Sequence, residues 1–430
     1  MIQKVKNNVF LKSTLILLFG GFAGKLIGFI LKIIITRNLG AETMGLFSLL
    51  SPTTSLLSTI AVFSYPTSLS KLISDKSYRT KDLFTSIIPI SIIINLIIIL
   101  FITINSKFIS EILFKESRLY LPIICVSLTM PFITISSIIK GYFWGKQNMF
   151  PYMLSNFIEQ ISRITIIVLL LNKINNNIHK ICFIILVNIF GEIISQIVMI
   201  LFIPKTKKEQ FKINKLAIID TMKICVSTTS SKLIGTFAHF LEPILLTNLL
   251  LLSGYTKDYI IYEYGVINAY SLSLLLMPQF FTQNMSTSLI PELSKHYSHR
   301  NYDMCKKRIK QVLLLSSFIG ALSTIVITLF PKFFLNLLFK TNEGIDYIRL
   351  LSPFMILFYL QYPLANSLQA LGKSKTSLKI SIISSIIKLL SITILSFFKL
   401  GMYTLILSIM INLVITTYLY YIEINKILNN

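Results

Sequence analysis

The 430-residue sequence is poor in the residues with which soluble enzymes build active sites. It has only 17 Asp and Glu residues and 4 His residues, and charged residues of both signs make up 13% of the chain. It contains no HExxH, Walker A or GxSxG motif, and no GxGxxG in a strand–turn–helix context. We therefore expect no resident cofactor and no enzymatic activity.

Cysteine is equally scarce and has no pattern. The four cysteines form no CxxC pair and no disulfide-framework spacing, which is typical of small apolar packing residues: Cys125, Cys182, Cys225 and Cys305. His296 and His299 form an H-x-x-H near the last cysteine, but they lack the second ligand pair that zinc sites usually have. We predict no metal site.

What the chain has in abundance is apolar sequence. Hydrophobic residues make up 54% of it, and the mean hydropathy is +0.73, values that indicate a polytopic membrane protein. The net charge of +24 lies in short loops between apolar runs, as the positive-inside rule produces. No basic stripe on a soluble fold is present, so we expect no nucleic-acid partner.

A helix that crosses a bilayer needs about 20 mostly apolar residues. Twelve such segments predict an all-α, multi-pass fold: 11–35, 46–69, 83–104, 120–139, 152–171, 181–203, 224–251, 266–290, 312–329, 348–371, 378–398 and 402–421. The first run continues past Lys25 with no convincing small-residue cleavage site, so we interpret it as a retained span rather than a signal peptide.

The distribution of Lys and Arg predicts the orientation. With the N-terminus in the cytoplasm, and with Lys12, Arg349 and Lys379 at span ends counted with the adjoining tail or loop, 25 of the 41 lie on the cytoplasmic side, 11 lie on the opposite side and 5 lie within spans. This bias predicts a protein of the cytoplasmic membrane with both termini inside.

Three landmarks recur in the same order in the two halves. Lys25-Leu26-Ile27-Gly28 returns as Lys232-Leu233-Ile234-Gly235, Gly45 pairs with Gly265, and Gly145-Lys146 pairs with Gly372-Lys373, at offsets of 207, 220 and 227. Six spans per repeat is an even number, so both halves enter the membrane in the same direction. The predicted organisation is a six-helix lobe at 1–203, a basic cytoplasmic linker at 204–223 and a second six-helix lobe at 224–430, an architecture typical of transporters.

Ionisable side chains inside spans are the candidate functional residues, because lipid accommodates them poorly. Lys25 and Lys32 are seven residues apart and share one helix face to within about 20°. Glu159 and Arg163 are four residues apart, which predicts an ion pair within one helix.

Further ionisable residues lie in spans six, seven and eleven. Glu192 either bonds a neighbouring helix or lines a cavity, and Lys388 has no evident acid. Lys232, His239 and Glu242 follow one another in span seven, where Pro243 predicts a weakened helix. Five cations against three carboxylates within the spans favour an anionic substrate.

Several segments resemble one family. They are Arg37–Gly45, Gly141–Met149, Asn156–Arg163, Ser231–Gly235, Glu242-Pro243, Tyr264-Gly265 and Ser288–Lys295. With them the chain resembles the polysaccharide biosynthesis and stage V sporulation protein B-like flippases of the multidrug/oligosaccharidyl-lipid/polysaccharide (MOP) exporter superfamily, which also contains the MATE exporters and the lipid II flippases. Members of this branch usually carry fourteen helices, two more than the hydropathy gives here.

The resemblance implies two six-helix lobes around a cationic cavity that accepts a pyrophosphate-linked head group. Lys25 and Arg37 match basic family positions on the first helix, whereas Lys32 falls beside one. The leading hypothesis is a monomeric flippase, surrounded by membrane lipids, that moves an undecaprenyl-pyrophosphate-linked saccharide or peptidoglycan precursor outward. Its candidate substrate-binding cations are Lys25, Lys32, Arg37, Lys232 and Lys388. Its candidate coupling or cavity-lining residues, with Na⁺ or H⁺ as the coupling ion, are Glu159, Arg163, Glu192, His239 and Glu242.

Other functions stay open at this point. A MATE-like exporter of drugs or metabolites needs a cavity dominated by acidic residues, which the charge count disfavours. A polysaccharide polymerase or ligase needs a sizeable extracytoplasmic loop, and the outside loops are short. A transporter-like scaffold without transport is the remaining alternative.

Overall fold

A computed structural model describes residues 9–204 and 214–429, and within these two ranges every regular element is a helix. Part of the predicted linker at 204–223 lies outside them. The α-helices, in chain order, are α1 Val9–Val62, α2 Tyr65–Ser74, α3 Thr80–Lys107, α4 Tyr120–Gly145, α5 Phe150–Leu170, α6 Asn177–Leu201, α7 Lys215–Leu252, α8 Lys257–Gly265, α9 Leu272–Leu276, α10 Gln279–Ser298, α11 Tyr302–Leu329, α12 Pro331–Phe339, α13 Ile345–Ala370, α14 Ser374–Ser396 and α15 Tyr403–Asn429. Single π-helical turns follow α3 at Phe108–Leu113 and α8 at Val266–Ser271.

The helices match the predicted spans closely. Among the described residues, 10 helices are long and apolar enough to cross a membrane, and the bent pair Lys257–Leu276 and Gln279–Ser298 brings the number to 11. One of the ten, Ala23–Ser74, contains the second predicted span and the C-terminal part of the first. The all-α, multi-pass fold predicted from hydropathy is therefore confirmed.

Spans one and two form one merged helix with a kink. Gly40 has φ 73° and ψ 174° inside α1, a conformation that glycine adopts without steric cost. The second span ends where Phe63 and Ser64 take φ values of 46° and 52°, just before α2. The eighth span breaks at the corresponding place, between α9 and α10 at residues 277–278. Both halves thus interrupt their second span at the same point.

The described chain divides into two compact units. The first takes in the residues up to Leu39 and those from Leu49 to Phe240, and the second takes in Gly40–Ser48 and the residues from Leu241 onward. The lobe boundaries predicted from the sequence concern how the chain crosses the bilayer, whereas these two units are compact packing units. The predicted boundaries therefore stay a prediction.

The two units repeat one pattern of helix packing. In the first, α4 packs against α2, α3 and α6, while α5 packs against α6. In the second, α13 packs against α10, α11 and α15, while α14 packs against α15. Each pairing in one unit corresponds to a pairing in the other under the repeat inferred from the sequence. The tenth span therefore occupies the central place in its unit that the fourth occupies in the first.

Candidate functional site: charges within the spans

Three helices of the first unit bring four charged side chains together. Arg163 Nη2 lies 2.7 Å from Glu159 Oε1 and 3.5 Å from Glu192 Oε1, and Lys140 Nζ lies 3.7 Å from Glu192 Oε2. Glu159 and Glu192 are only 3% and 6% exposed. The ion pair within α5 is thus present, and Glu192 bonds neighbouring helices. We refer to these four residues as the charge cluster; its formal charges cancel.

Gly191 on α6 provides the space for the arginine. A methyl group on Gly191 would fall 2.5 Å from Arg163 Nε and 2.9 Å from its Cγ. The guanidinium therefore crosses α6 directly over a glycine. Small residues serve this purpose in membrane helices, where close approach replaces the hydrophobic driving force between helices.

Lys140 is a member of the cluster that the sequence analysis missed. The predicted span four ends at residue 139, which places Lys140 in the loop that follows it. The structure instead extends α4 to Gly145, and Lys140 lies inside the candidate span Ser117–Gly145. The aromatic run Tyr142 to Trp144 directly after the lysine was the signal that the helix continues.

An ion pair of the second unit joins distant parts of the chain. Lys388 Nζ on α14 lies 2.7 Å from Glu242 Oε1 on α7. Glu242 is buried and the lysine is partly buried. The acid that the sequence did not reveal for Lys388 is therefore 146 residues away.

The weakening predicted at Pro243 does not amount to a break in the helix. Helix α7 runs from Lys215 to Leu252 with Pro243 in its interior. Membrane helices tolerate an internal proline because neighbouring helices and local adjustments re-satisfy the freed carbonyl group.

The remaining candidate cations lie on α1 and α7. Lys25 and Lys32 on α1 are partly buried, whereas Arg37 near the Gly40 kink and Lys232 on α7 are exposed. Within the two described ranges, no carboxylate oxygen lies within 4.0 Å of Lys32 Nζ or Lys232 Nζ. These two lysines are thus not neutralised by the acids that hold the other cations.

The repeat places matching basic residues on the two helices. Lys25 and Lys32 on α1 correspond to Lys232 and His239 on α7 at the single offset of 207. Each pair is seven residues apart and therefore shares one helix face to within about 20°. His239 is exposed, like Lys232. The duplicated tetrapeptide is thus part of a longer match that carries two basic residues per helix.

Helix α1 packs closely on α5. A methyl group on Gly24 would fall 2.8 Å from Asn156 Nδ2, and one on Gly28 would fall 3.9 Å from Gln160 Oε1. Gln160 follows Glu159 of the charge cluster in sequence. The helix that carries Lys25 and Lys32 therefore packs against α5, the helix that carries Glu159 and Arg163 of the charge cluster.

The balance of charge within the spans is positive. Each of the three carboxylates has a cation within 4.0 Å, and the partners of these acids are Arg163, Lys140 and Lys388. When Lys140 is added to the five cations assigned to the predicted spans, these spans contain six Lys and Arg residues and three Glu residues. Among the described side chains, no group of three His, Cys, Asp or Glu is close enough to hold a metal ion. The arrangement suits an anion, which ammonium and guanidinium groups bind through charge-assisted hydrogen bonds.

An all-helical membrane protein with two units of one design and ionisable groups inside its spans belongs to the class of secondary transporters. A solved structure has the same fold: the inward-facing conformation of a multidrug resistance MATE family transporter of the MOP superfamily superposes with a TM-score of 0.77 at 14% identity, over 94% of each chain.

The sequence comparisons give the family. Residues 10–297 match the family described as "Polysaccharide biosynthesis protein", and residues 266–394 match the family MatE. The first match spans more than half of the chain, so the protein belongs to the polysaccharide biosynthesis protein family, within the MOP superfamily. The resemblance inferred from the motifs is confirmed.

Two curated relatives match nearly the whole chain. Stage V sporulation protein B of Bacillus subtilis (strain 168) is 28% identical over 440 residues, which cover 97% of this chain and 84% of the relative. Lipid II flippase MurJ of the same organism is 22% identical over 88% of this chain and 76% of the relative. The chain is therefore a multi-pass membrane transporter.

Proposed function

We propose that the protein is a flippase for a lipid-linked saccharide or peptidoglycan precursor carried on undecaprenyl pyrophosphate, which it moves outward across the cytoplasmic membrane by alternating access. The observation that carries this proposal is which charged side chains within the spans lie next to a group of opposite charge and which do not. All three carboxylates in the predicted spans are paired with cations, while Lys32 and Lys232 have no carboxylate within 4.0 Å among the described residues. A pyrophosphate supplies the missing negative charge.

Each candidate residue then has a role. Lys25 and Lys32 on α1 and Lys232 on α7 bind phosphate oxygens, and Arg37 attracts the head group near the kink. Lys388 is held by Glu242 and contributes to binding only where that pair opens. Burial of a lysine in a span without an acid is costly, and a bound phosphate offsets this cost.

Coupling to an ion requires a charge that changes partners during transport. Glu159 and Glu192 share Arg163, so protonation of one carboxylate leaves the arginine fully to the other. On α7 the corresponding groups are Glu242 and His239, the histidine being a member of the second basic pair. We propose H⁺ or Na⁺ as the coupling ion, acting at these residues.

The alternative is a MATE-like exporter of cationic drugs or metabolites. The structural likeness at 14% identity concerns the fold alone. A cationic substrate needs carboxylates that are free to receive it, and the pairing of Glu159, Glu192 and Glu242 disfavours this function. We further propose that the protein acts as a monomer without catalytic activity, and that both termini lie in the cytoplasm.

The test is transport in proteoliposomes. A fluorescent undecaprenyl-pyrophosphate disaccharide is loaded in the vesicles, and its appearance in the opposite leaflet is followed with a membrane-impermeant quencher. We expect transport by the wild type and a loss of about tenfold or more for Lys32→Gln and Lys232→Gln, because each removes a charge-assisted hydrogen bond worth about 1.5–3 kcal/mol.

Lys173→Gln is the matched control, because it removes an exposed lysine from the turn between α5 and α6. It should transport like the wild type. Ethidium efflux from the same vesicles examines the alternative. Dye efflux without lipid transport would contradict the flippase proposal. Equal lipid transport by all variants would contradict the assignment of Lys32 and Lys232 as substrate-binding cations.

A further inference from the structure

The short helix α12 lines a cavity that contains none of the charged residues described above. The cavity has a volume of about 640 Å³, within the range of ligand sites, and is lined by Leu329, Phe330, Pro331, Lys332, Phe333, Asn336, Leu337 and Arg349. Helices α11 and α13 on either side of it are both candidate membrane spans. The cavity therefore lies where two consecutive spans meet the membrane boundary.

Helix α12 has apolar residues both on the face that packs against its own unit and on the opposite, exposed face. Pro331, Leu335 and Phe339 are spaced four residues apart and are buried, and the Phe339 ring lies 5.6 Å from that of Tyr270. The opposite face carries Phe333 and Leu337, which are 60% and 55% exposed. Helices that lie in the plane of a membrane interface have such an apolar face, which acyl chains cover.

Two cations stand at the rim of this apolar surface. Lys332 and Arg349 both line the cavity. Within the described part of the chain, neither has a carboxylate within 4.0 Å, although Asp346 lies only one turn from the arginine. A guanidinium binds phosphate through two parallel hydrogen bonds, and a lysine adds a point charge. Apolar walls below two unneutralised cations match the chemistry of a phospholipid.

We propose that this cavity binds an anionic glycerophospholipid as a resident lipid of the protein. Its phosphate lies between Lys332 and Arg349, and one acyl chain lies along Phe333 and Leu337. The site is separate from the transported substrate, and the proposal does not rest on the flippase function. Basic pockets between membrane helices recognise acidic lipid head groups by the same combination of charge and apolar contact.

The test measures lipid retention by native mass spectrometry. The full chain in detergent is titrated with phosphatidylglycerol or with phosphatidylcholine of the same acyl composition. We expect one tightly held phosphatidylglycerol, with at least tenfold weaker retention of phosphatidylcholine. The double variant Lys332→Gln/Arg349→Gln should lose this preference, and Leu337→Asn should weaken retention of both lipids.

Lys340→Gln/Lys399→Gln is the control, because it removes the same number of exposed positive charges from the same unit without touching the cavity lining. It should retain phosphatidylglycerol like the wild type, and circular dichroism should show unchanged helix content in both double variants. Equal retention of the two lipids by the wild type, or equal loss in both double variants, would overturn the proposal. Displacement of the lipid by inorganic phosphate at comparable concentration would also overturn it, because the site would then recognise the phosphate alone. The flippase function is tested separately, by transport in vesicles of pure phosphatidylcholine. Failure of the lipid-binding proposal is therefore distinguishable from failure of the flippase function.

Discussion

The backbones of Gly45 and Gly265 lie directly against each other. A methyl group on Gly265 would fall 2.7 Å from the Gly45 nitrogen and would overlap the carbonyl oxygen of Ala41. A methyl group on Gly45 would fall 2.9 Å from the carbonyl carbon of Ile261 and would overlap its oxygen. Ala41 and Ile261 each lie four residues before the glycine on their own helix, so the contact is reciprocal. The two glycines are also repeat-related landmarks of the sequence, and the fold brings them together.

Substitution of either glycine by alanine is expected to destabilise the protein strongly. The clashing atoms belong to backbone that cannot rotate away, and overpacking of this kind costs about 1–3 kcal/mol or more. Gly235→Ala is the matched control, because nothing lies within 4 Å of its added methyl group. Thermal unfolding in detergent should show large losses for Gly45→Ala and Gly265→Ala and none for the control. Unchanged unfolding of Gly265→Ala would mean that the two helices are not in contact.

The spans, the repeat and one ion pair of this fold could be predicted from the sequence. Hydropathy found the spans because lipid demands long apolar helices, and collinear motifs found the repeat. The pair Glu159 and Arg163 was predictable because its spacing is local. None of these steps required knowledge of which helices are neighbours.

The misses all depend on such knowledge. Sequence alone places Lys140 in a loop, because a charged residue ends an apolar run when the neighbouring helices are unknown. Its partner Glu192 is on another helix. Glu242 and Lys388 are separated by 146 residues, so no local pattern relates them. The sequence likewise could not tell that α7 continues through Pro243, because the groups packed around a proline decide whether the helix continues.

Gly191→Ala is expected to act through Arg163. The added methyl group displaces the guanidinium from Glu159 and Glu192, which then remain as two buried carboxylates with weaker compensation. We expect a loss of stability of about 1–3 kcal/mol in the wild-type background.

The same substitution should cost much less in an Arg163→Met background, because the displaced group is already absent. Thermal unfolding of the four proteins of this double-mutant cycle gives the coupling directly. Additive losses would show that Gly191 is needed for some contact other than that with the arginine.

A pH dependence is expected at the turn before α3. The Tyr78 hydroxyl donates a hydrogen bond to Asp220 Oδ2 at 2.6 Å, and this bond raises the pKa of the tyrosine above its usual value. A raised pKa means that the folded state favours the protonated phenol. The stabilisation is therefore fully present below a pH of about 10, the unperturbed value, and is lost as the pH rises through the folded-state pKa.

Tyr78→Phe should accordingly unfold at a lower temperature than the wild type at pH 7, and the difference should shrink as the pH rises above about 10. Tyr302→Phe, which removes a hydroxyl at the start of α11, should show no such pH-dependent difference. Unfolding followed by intrinsic fluorescence across this pH range makes the comparison. A difference that is constant with pH would indicate that the hydroxyl acts through packing instead.

The pair between Lys388 and Glu242 makes the last prediction. Lys388→Met removes the ammonium group that lies 2.7 Å from the buried carboxylate of Glu242, and removal of one partner from a buried pair costs about 3–5 kcal/mol. The double variant Glu242→Gln/Lys388→Met removes both charges and should recover most of this loss, since well-packed neutral residues often replace a buried pair at little cost. Thermal unfolding of the two single variants and the double variant gives this comparison. A double variant as unstable as Lys388→Met would show that the lysine has a second role, such as holding α14 against α7 through its aliphatic stem. If the double variant is stable but no longer transports, the pair opens during the transport cycle, and Lys388 then belongs with the substrate-binding cations.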